Sequence, residues 1–168
     1  MTGLRIGQGF DVHPFGDSGE LVLGGVRLEG PALVGHSDAD VVAHAVADSL
    51  LGAAGLPDLG SLFPAGNDRY RDASSIKLLR DVAGQIAARR WQLGNVDVVV
   101  AAERPALAPH VRSMTDNLYH ALVALFPSPG AQNLVSVRPK RGEGLGAIGR
   151  GEGIAVWAVA LLEHVGAR

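Results

Sequence analysis

The residue types able to do chemistry crowd into two short stretches, Asp11-Val12-His13 and His36-Ser37-Asp38-Ala39-Asp40-Val41-Val42-Ala43-His44. Together they hold half of the chain's six histidines, on a background that is otherwise apolar and glycine-rich. Asp11 and His13 are two apart, so in an extended strand both project to one side while Val12 turns away. In the second stretch the apolar run Val41-Val42-Ala43-Ala45-Val46 and the Leu50-Leu51 pair suit a helix, with Ser37 and Asp38 as N-cap residues before it. His44 then falls near the second turn, and Asp40, four residues earlier on the same face, is close enough to orient a ring nitrogen. His36 and Ser37 lie at the helix mouth, where unpaired backbone N–H groups and the dipole favour an anion. Two histidines, one carboxylate and an open fourth position form a zinc arrangement, in which the metal acts as a Lewis acid toward a substrate or water. An Asp-x-His or a single histidine is commonplace; the combination beside an anion-binding helix start is not.

Those side chains need a scaffold. The 168 residues (17.4 kDa) fit one domain, 1–168, and a hydrophobic fraction of 47% with 5% aromatics implies a core of Val, Leu, Ala and Ile. A net charge of −2 gives no general attraction to nucleic acid or to an anionic membrane. Without cysteine, any zinc must use nitrogen and oxygen ligands. No run approaches the roughly 20 apolar residues needed to span a bilayer, and the N-terminus lacks a signal-peptide pattern, so a soluble, cytoplasmic protein is expected.

A first strand is expected from Leu4 to Phe10, with Asp11 and His13 at its end, and a hairpin over Leu21 to Leu28 around Gly24-Gly25. After the helix of His44, the Gly- and Pro-rich passage from Gly52 to Asn67 predicts a functional loop. Ser74 or Ser75 caps a helix running toward Arg90, with Ile76, Leu79, Val82 and Ile86 at helical spacing. A buried strand follows over Leu93 to Ala102, closed by Pro105 and Pro109, then a helix from His110 to Leu125 and a strand from Asn133 to Arg138. The segment from Pro139 to Gly153 is the most glycine-dense of the chain. Its exposed N–H groups and Arg can hold phosphate, and Glu143 a divalent cation between phosphate oxygens. Ile154 to His164 reads as the last strand. The order strand, hairpin, helix, helix, strand, helix, strand, strand implies an α+β sandwich, one mixed sheet with helices on one face.

The motifs Gly9-Phe10-Asp11-Val12-His13, Leu23-Gly24-Gly25-Val26, His36-Ser37-Asp38, His44, Leu50-Leu51-Gly52-Ala53, Asp58-Leu59-Gly60, Leu62-Phe63-Pro64, Leu93-Gly94-Asn95-Val96-Asp97 and Gly149-Arg150-Gly151-Glu152-Gly153-Ile154 occur in order nearly end to end. Together they resemble the 2-C-methyl-D-erythritol 2,4-cyclodiphosphate synthase family. The resemblance implies a homotrimer with active sites between adjacent subunits, acting in the non-mevalonate route to isoprenoid precursors. The implied substrate is 4-diphosphocytidyl-2-C-methyl-D-erythritol 2-phosphate, whose 2-phosphate closes a cyclic diphosphate and releases CMP. It further implies Zn2+, or another divalent transition metal, on Asp11, His13 and His44, with Mg2+ or Mn2+ at Glu143 bridging the diphosphate. By the same resemblance His36 and Ser37 orient the attacking phosphate, while Asp58 and Gly60 contact the erythritol and ribose. Leu59, Phe63 and Pro64 belong to the same substrate-binding motifs. Ala102 to Pro105 lies where the family builds its cytosine pocket. Arg150 and Glu152 match residues near the trimer axis, beside a cavity that can hold an isoprenoid diphosphate.

Four departures all fall on the substrate side: Lys140-Arg141-Gly142 where the family usually has three threonines, Ala147 for an aromatic, Ala65 for an acid and Ala106 for a lysine. They motivate a second expectation, a trimeric zinc-containing binding protein of the same scaffold with weakened or lost cyclase activity. A third, a zinc hydrolase with water in the open position, lacks a well-placed general base.

Overall fold

The computed structural model describes residues 3–64, 66–67, 70, 73–126 and 134–166. Strand β1 (Leu4–Pro14) is followed by the short hairpin β2 (Leu21–Leu23) and β3 (Val26–Leu28), then helices α1 (Val41–Ala54), α2 (Leu59–Leu62) and α3 (Ser75–Ala88). The chain continues through β4 (Trp91–Ala101), α4 (Val111–Val123), β5 (Val135–Lys140), the single turn α5 (Gly146–Gly149) and β6 (Gly153–His164). The four long strands form one mixed sheet in the order β1-β6-β4-β5, antiparallel except for the parallel β4/β5 pair. This is the expected α+β class with a mixed sheet.

The first strand runs four residues past its expected end at Phe10, because β6 pairs with it throughout: Asp11 opposes Val156 and His13 opposes Ile154. Asp11 and His13 are therefore held by the sheet ladder rather than on a loop. Alternation puts Gly7, Gly9, Asp11 and His13 on the inner face and Ile6, Phe10 and Val12 on the outer one. Of the expected strand Asn133 to Arg138, Asn133 lies outside the described residues, and the strand ends two residues later than expected, at Lys140.

Helix α1 is apolar nearly all round because it is covered on two sides, by β1 and β6 and by α3. Val41, Val42, Val46, Leu50 and Leu51 are fully buried, each contributing about 1.5–3 kcal/mol relative to exposure. Its only residues that are not buried are His44, Asp48, Gly52 and the terminal Ala54. The first three recur every fourth residue, so they form a single polar stripe on an otherwise greasy rod. Inner-face residues of the sheet, including Val96, Val98, Val100, Ile154, Val156 and Ala158, complete the core. On the outer face Ile6 (74% exposed), Phe10 and Trp157 are uncovered, the rings of the last two tilted at 45° with centroids 5.2 Å apart. No helix among the described residues is long and apolar enough to cross a membrane.

Candidate metal centre and active site

Three elements meet at the polar stripe of α1. Oδ2 of Asp11 lies 3.0 Å from Nε2 of His13 and 3.0 Å from Nδ1 of His44. The three ligand atoms all fall within 4.8 Å of one another, the only such group among the described residues. Metal–ligand bonds of about 2.0–2.1 Å at tetrahedral angles place neighbouring ligand atoms roughly 3.3 Å apart, so the donor set suits a divalent ion. Both rings are also held from behind. Nδ1 of His13 is 2.5 Å from the Val34 carbonyl, and Nε2 of His44 is 2.9 Å from Ser75 Oγ and 3.1 Å from Ser37 Oγ.

Burial alone would raise the pKa of Asp11, but hydrogen bonds and charge from His13 and His44 outweigh it and hold the carboxyl far below its ordinary value. For His13, burial opposes the charge, and the bond to Asp11, the Asp11 charge and the Val34 carbonyl overcome it, so its pKa is raised above 6.5.

The cluster lines one side of a cavity of about 220 Å³ that also takes in His36, Ser37, Asp48, Leu59, Gly60 and Phe63. The expected residues His36, Ser37, Leu59, Gly60 and Phe63 are thus assembled beside Asp11, His13 and His44. Asp58, the neighbour of Leu59, is exposed, caps α2 and accepts the Ser61 N–H at 2.8 Å; hydrogen bonds from the Ser61 side chain and backbone lower its pKa. Pro64 follows, also exposed. Ala102 and Pro105 line a different cavity, of about 290 Å³, with Glu103, Ala106, Leu107, Pro139, Lys140 and Arg141. The two cavities share no residue. Glu143, exposed and in the left-handed region at φ +50°, and Arg150, paired with Glu152 at 2.6 Å, line neither. Arg141 is tied to Glu103, which also accepts the Gly142 N–H. Ala65 lies outside the described residues.

Three expectations are corrected. Ser37 and Asp38 do not cap α1; Asp40 does, taking the N–H groups of Val42 and Ala43. Its carboxylate also takes those of Gly24 and Gly25 in the β2–β3 turn, at 2.8 and 2.6 Å. Fully buried among four backbone donors, the Asp40 carboxylate pins the hairpin to the helix and is spent on these N–H groups rather than on the His44 ring. Burial raises its pKa while the N–H groups of Gly25, Ala43 and Gly24 pull the other way. The anion seat at the mouth of α1 is consequently filled by the protein's own side chain.

Sequence reasoning left three site residues aside. Asp48 lines the cavity and accepts the Leu59 N–H at 2.7 Å, and burial raises its pKa. Its signal was present, since it stands one helical turn after His44. Ser75 and Asp38 reach His44 through a tertiary contact between a loop and the start of α3, which no spacing announces.

A family model described as the YgbB family matches residues 4–163. The chain belongs to the YgbB family. Among curated YgbB-type relatives, the 2-C-methyl-D-erythritol 2,4-cyclodiphosphate synthase of Rubrobacter xylanophilus is 52% identical over 169 residues, covering 98% of this chain and 98% of the relative. The bifunctional enzyme IspD/IspF of an Anaeromyxobacter species is 49% identical over 162 residues, 96% of this chain; there the chain spans only 40% of the relative's length. A solved IspF of Plasmodium falciparum in complex with CDP superposes with a TM-score of 0.81 at 32% identity, covering 98% of each chain.

Proposed function

We propose that this chain converts 4-diphosphocytidyl-2-C-methyl-D-erythritol 2-phosphate to 2-C-methyl-D-erythritol 2,4-cyclodiphosphate with release of CMP, in the cytoplasm, as a homotrimer. The observation that carries it is the convergence of Asp11, His13 and His44 in a chain aligned end to end with a relative named for that synthase.

Asp11, His13 and His44 would hold zinc or another divalent transition metal, which supplies Lewis-acid polarisation of a phosphate oxygen. The attacking phosphate is already ionised at neutral pH, so no general base is required. His36 and Ser37 line the cavity beside the cluster, suited to orient that phosphate and offset its charge. Leu59, Gly60, Phe63 and Pro64, with the neighbouring Asp58, would shape the seat for the erythritol and ribose. Ala102, Pro105, Ala106 and Leu107 give the second cavity small and apolar walls, suited to a pyrimidine ring. CDP bound to the Plasmodium falciparum relative supports a cytidine nucleotide here.

Within one chain the two cavities are separate. The substrate would therefore span two subunits, one giving the metal cluster and the other the nucleotide pocket. The uncovered face of Ile6, Phe10, Val12, Trp157 and Val159 supports this: helices cover one side of the two-layer sandwich, and the bare apolar side suits contact between copies. Glu143 would hold magnesium or manganese on the diphosphate. Arg150 and Glu152 would lie near the trimer axis, where an isoprenoid diphosphate can bind.

Phosphorus NMR of purified protein with zinc, magnesium and the cytidyl substrate tests this. Cyclic diphosphate and CMP in equal amounts are expected. Substrate bound without turnover would mean a binding protein, and a linear hydrolysed product would mean a zinc hydrolase.

A further inference from the structure

Metal binding through Nδ1 of His44 needs a lone pair there, hence the ring proton on Nε2. The groups facing Nε2 are the hydroxyls of Ser75 at 2.9 Å and Ser37 at 3.1 Å, themselves 3.2 Å apart. A hydroxyl can give or accept one hydrogen bond with equal ease, so neither alone decides where the imidazole proton sits. His13 has no such ambiguity: its Nδ1 faces the Val34 carbonyl, which can only accept.

Asp38 removes the ambiguity at His44. Its carboxylate accepts the backbone N–H of Ser75 at 3.2 and 3.1 Å on the two oxygens, and that of Asp40 at 3.3 Å. The Ser75 hydroxyl points at Asp38 Oδ1, its nearest partner. An ionised carboxylate has no proton to give, so the single hydroxyl proton of Ser75 goes to Asp38. Ser75 Oγ is then left only lone pairs for its other neighbours, so its bond to Nε2 of His44, the shorter of the two there, forms only with the ring as donor. Ser75 is 1% exposed, so water does not compete for this bond.

We propose that Asp38 and Ser75 are a positioning pair that locks the proton of His44 onto Nε2 and so keeps Nδ1 turned to the metal with a free lone pair. This rests on His44 being a metal ligand, as proposed above. With the metal bound, the two histidines then carry opposite tautomers, each presenting its open nitrogen to the ion shared with Asp11. The backbone contact Ser75 N–H to Asp38 also caps α3, whose own N-cap Ser74 makes no side-chain cap bond. The hydroxyl contact is the separate, positioning part.

Ser75→Ala divides the two roles, because it keeps the backbone N–H that Asp38 caps and removes only the hydroxyl. Zinc titration by calorimetry is expected to show Kd weakened roughly 10–100-fold in Ser75→Ala and in Asp38→Asn. Ser75→Thr, which keeps a hydroxyl, recovers most of the loss. The Asp38→Asn/Ser75→Ala double variant should be no weaker than Ser75→Ala, since both act through one path. Proton and nitrogen-15 NMR of the zinc-loaded protein reads the Nε2–H of His44 without relying on turnover. That proton should exchange slowly with water in the unmodified protein and faster in Ser75→Ala, which removes its acceptor, and in Asp38→Asn, whose amide can donate to Ser75 and reverse the relay. A fast-exchanging Nε2–H in the unmodified protein, or an unchanged zinc Kd in Ser75→Ala, overturns the proposal. No zinc binding by the unmodified protein would instead overturn the metal assignment on which it rests.

Discussion

Gly9 of β1 meets Ala45 of α1 backbone to backbone: a Cβ on Gly9 would lie 2.0 Å from the Ala45 carbonyl oxygen. Gly7 is as close to the Ser49 carbonyl. These contacts set how far β1 slides along α1, and the next inner-face residue after Gly9 is Asp11, which meets His44, the neighbour of Ala45. Gly9→Ala cannot be absorbed by a side-chain rotation, because the atom in the way is backbone. Overpacking of this kind costs about 1–3 kcal/mol, and here it also shifts Asp11 against His44. Urea denaturation and zinc titration are expected to show a loss of stability in that range or above and a weakened zinc Kd. Unchanged values of both would mean that the glycine contact does not register the site.

Asp40 makes a contrasting prediction. With four backbone N–H groups on one buried carboxylate, Asp40→Asn leaves donors facing an amide. Hydrogen bonds to a charged group are worth about 1.5–3 kcal/mol, so a destabilisation of about 2 kcal/mol or more is expected. The zinc Kd of the folded fraction should change little. The reverse pattern, stable protein with lost zinc, would restore Asp40 as the residue orienting His44.

The difference between those two cases shows what spacing can convey. Asp11 and His13 were visible because strand alternation is local, and His44 because the apolar run around it marks a buried helix. Asp40 was misread because an i, i+4 relation assumes a residue inside the helix, whereas Asp40 precedes it and is claimed by glycine N–H groups 15 and 16 residues away. Nothing in a hairpin Gly-Gly pair signals that its amides are spoken for. Ser75 and Asp38 were equally hidden, being 37 residues apart. Ala102 and Pro105 came only through likeness to a family, and Glu143 also from the glycine-dense segment that carries it; none of the three lines the cavity of Asp11, His13 and His44.

Acidity should move stability and metal binding in opposite directions. In the metal-free protein the raised pKa of His13 means that its protonation stabilises the fold fully below about 6.5 and is lost as pH rises through the higher folded value. The depressed Asp11 contributes above about 3.8 and is lost only in stronger acid. Metal-free protein is therefore expected to melt higher at about pH 5.5 than at about pH 8.5. Zinc needs neutral His13, so its affinity rises over the same interval. A zinc Kd independent of pH across that range would remove His13 from the ligand set.

The bare sheet face separates assembly from metal binding. Ile6 and Trp157 are 74% and 39% exposed, so Ile6→Glu with Trp157→Glu should leave the single chain folded, with surface changes of this kind costing about 0.5 kcal/mol each or less. Light scattering is expected to show trimer for the unmodified protein and monomer for the variant. The variant should keep its zinc and lose CMP release. Full turnover by a monomer would mean that one chain holds a complete site.

The most direct measurement is a titration of zinc into metal-stripped protein, with magnesium and the cytidyl substrate present, while CMP release is followed. Turnover is expected to rise in proportion to zinc up to one ion per chain and then level off, and to stay flat at every zinc level in His44→Ala. Full CMP release before any zinc is added, or undiminished release by His44→Ala, would contradict a reaction organised by Asp11, His13 and His44.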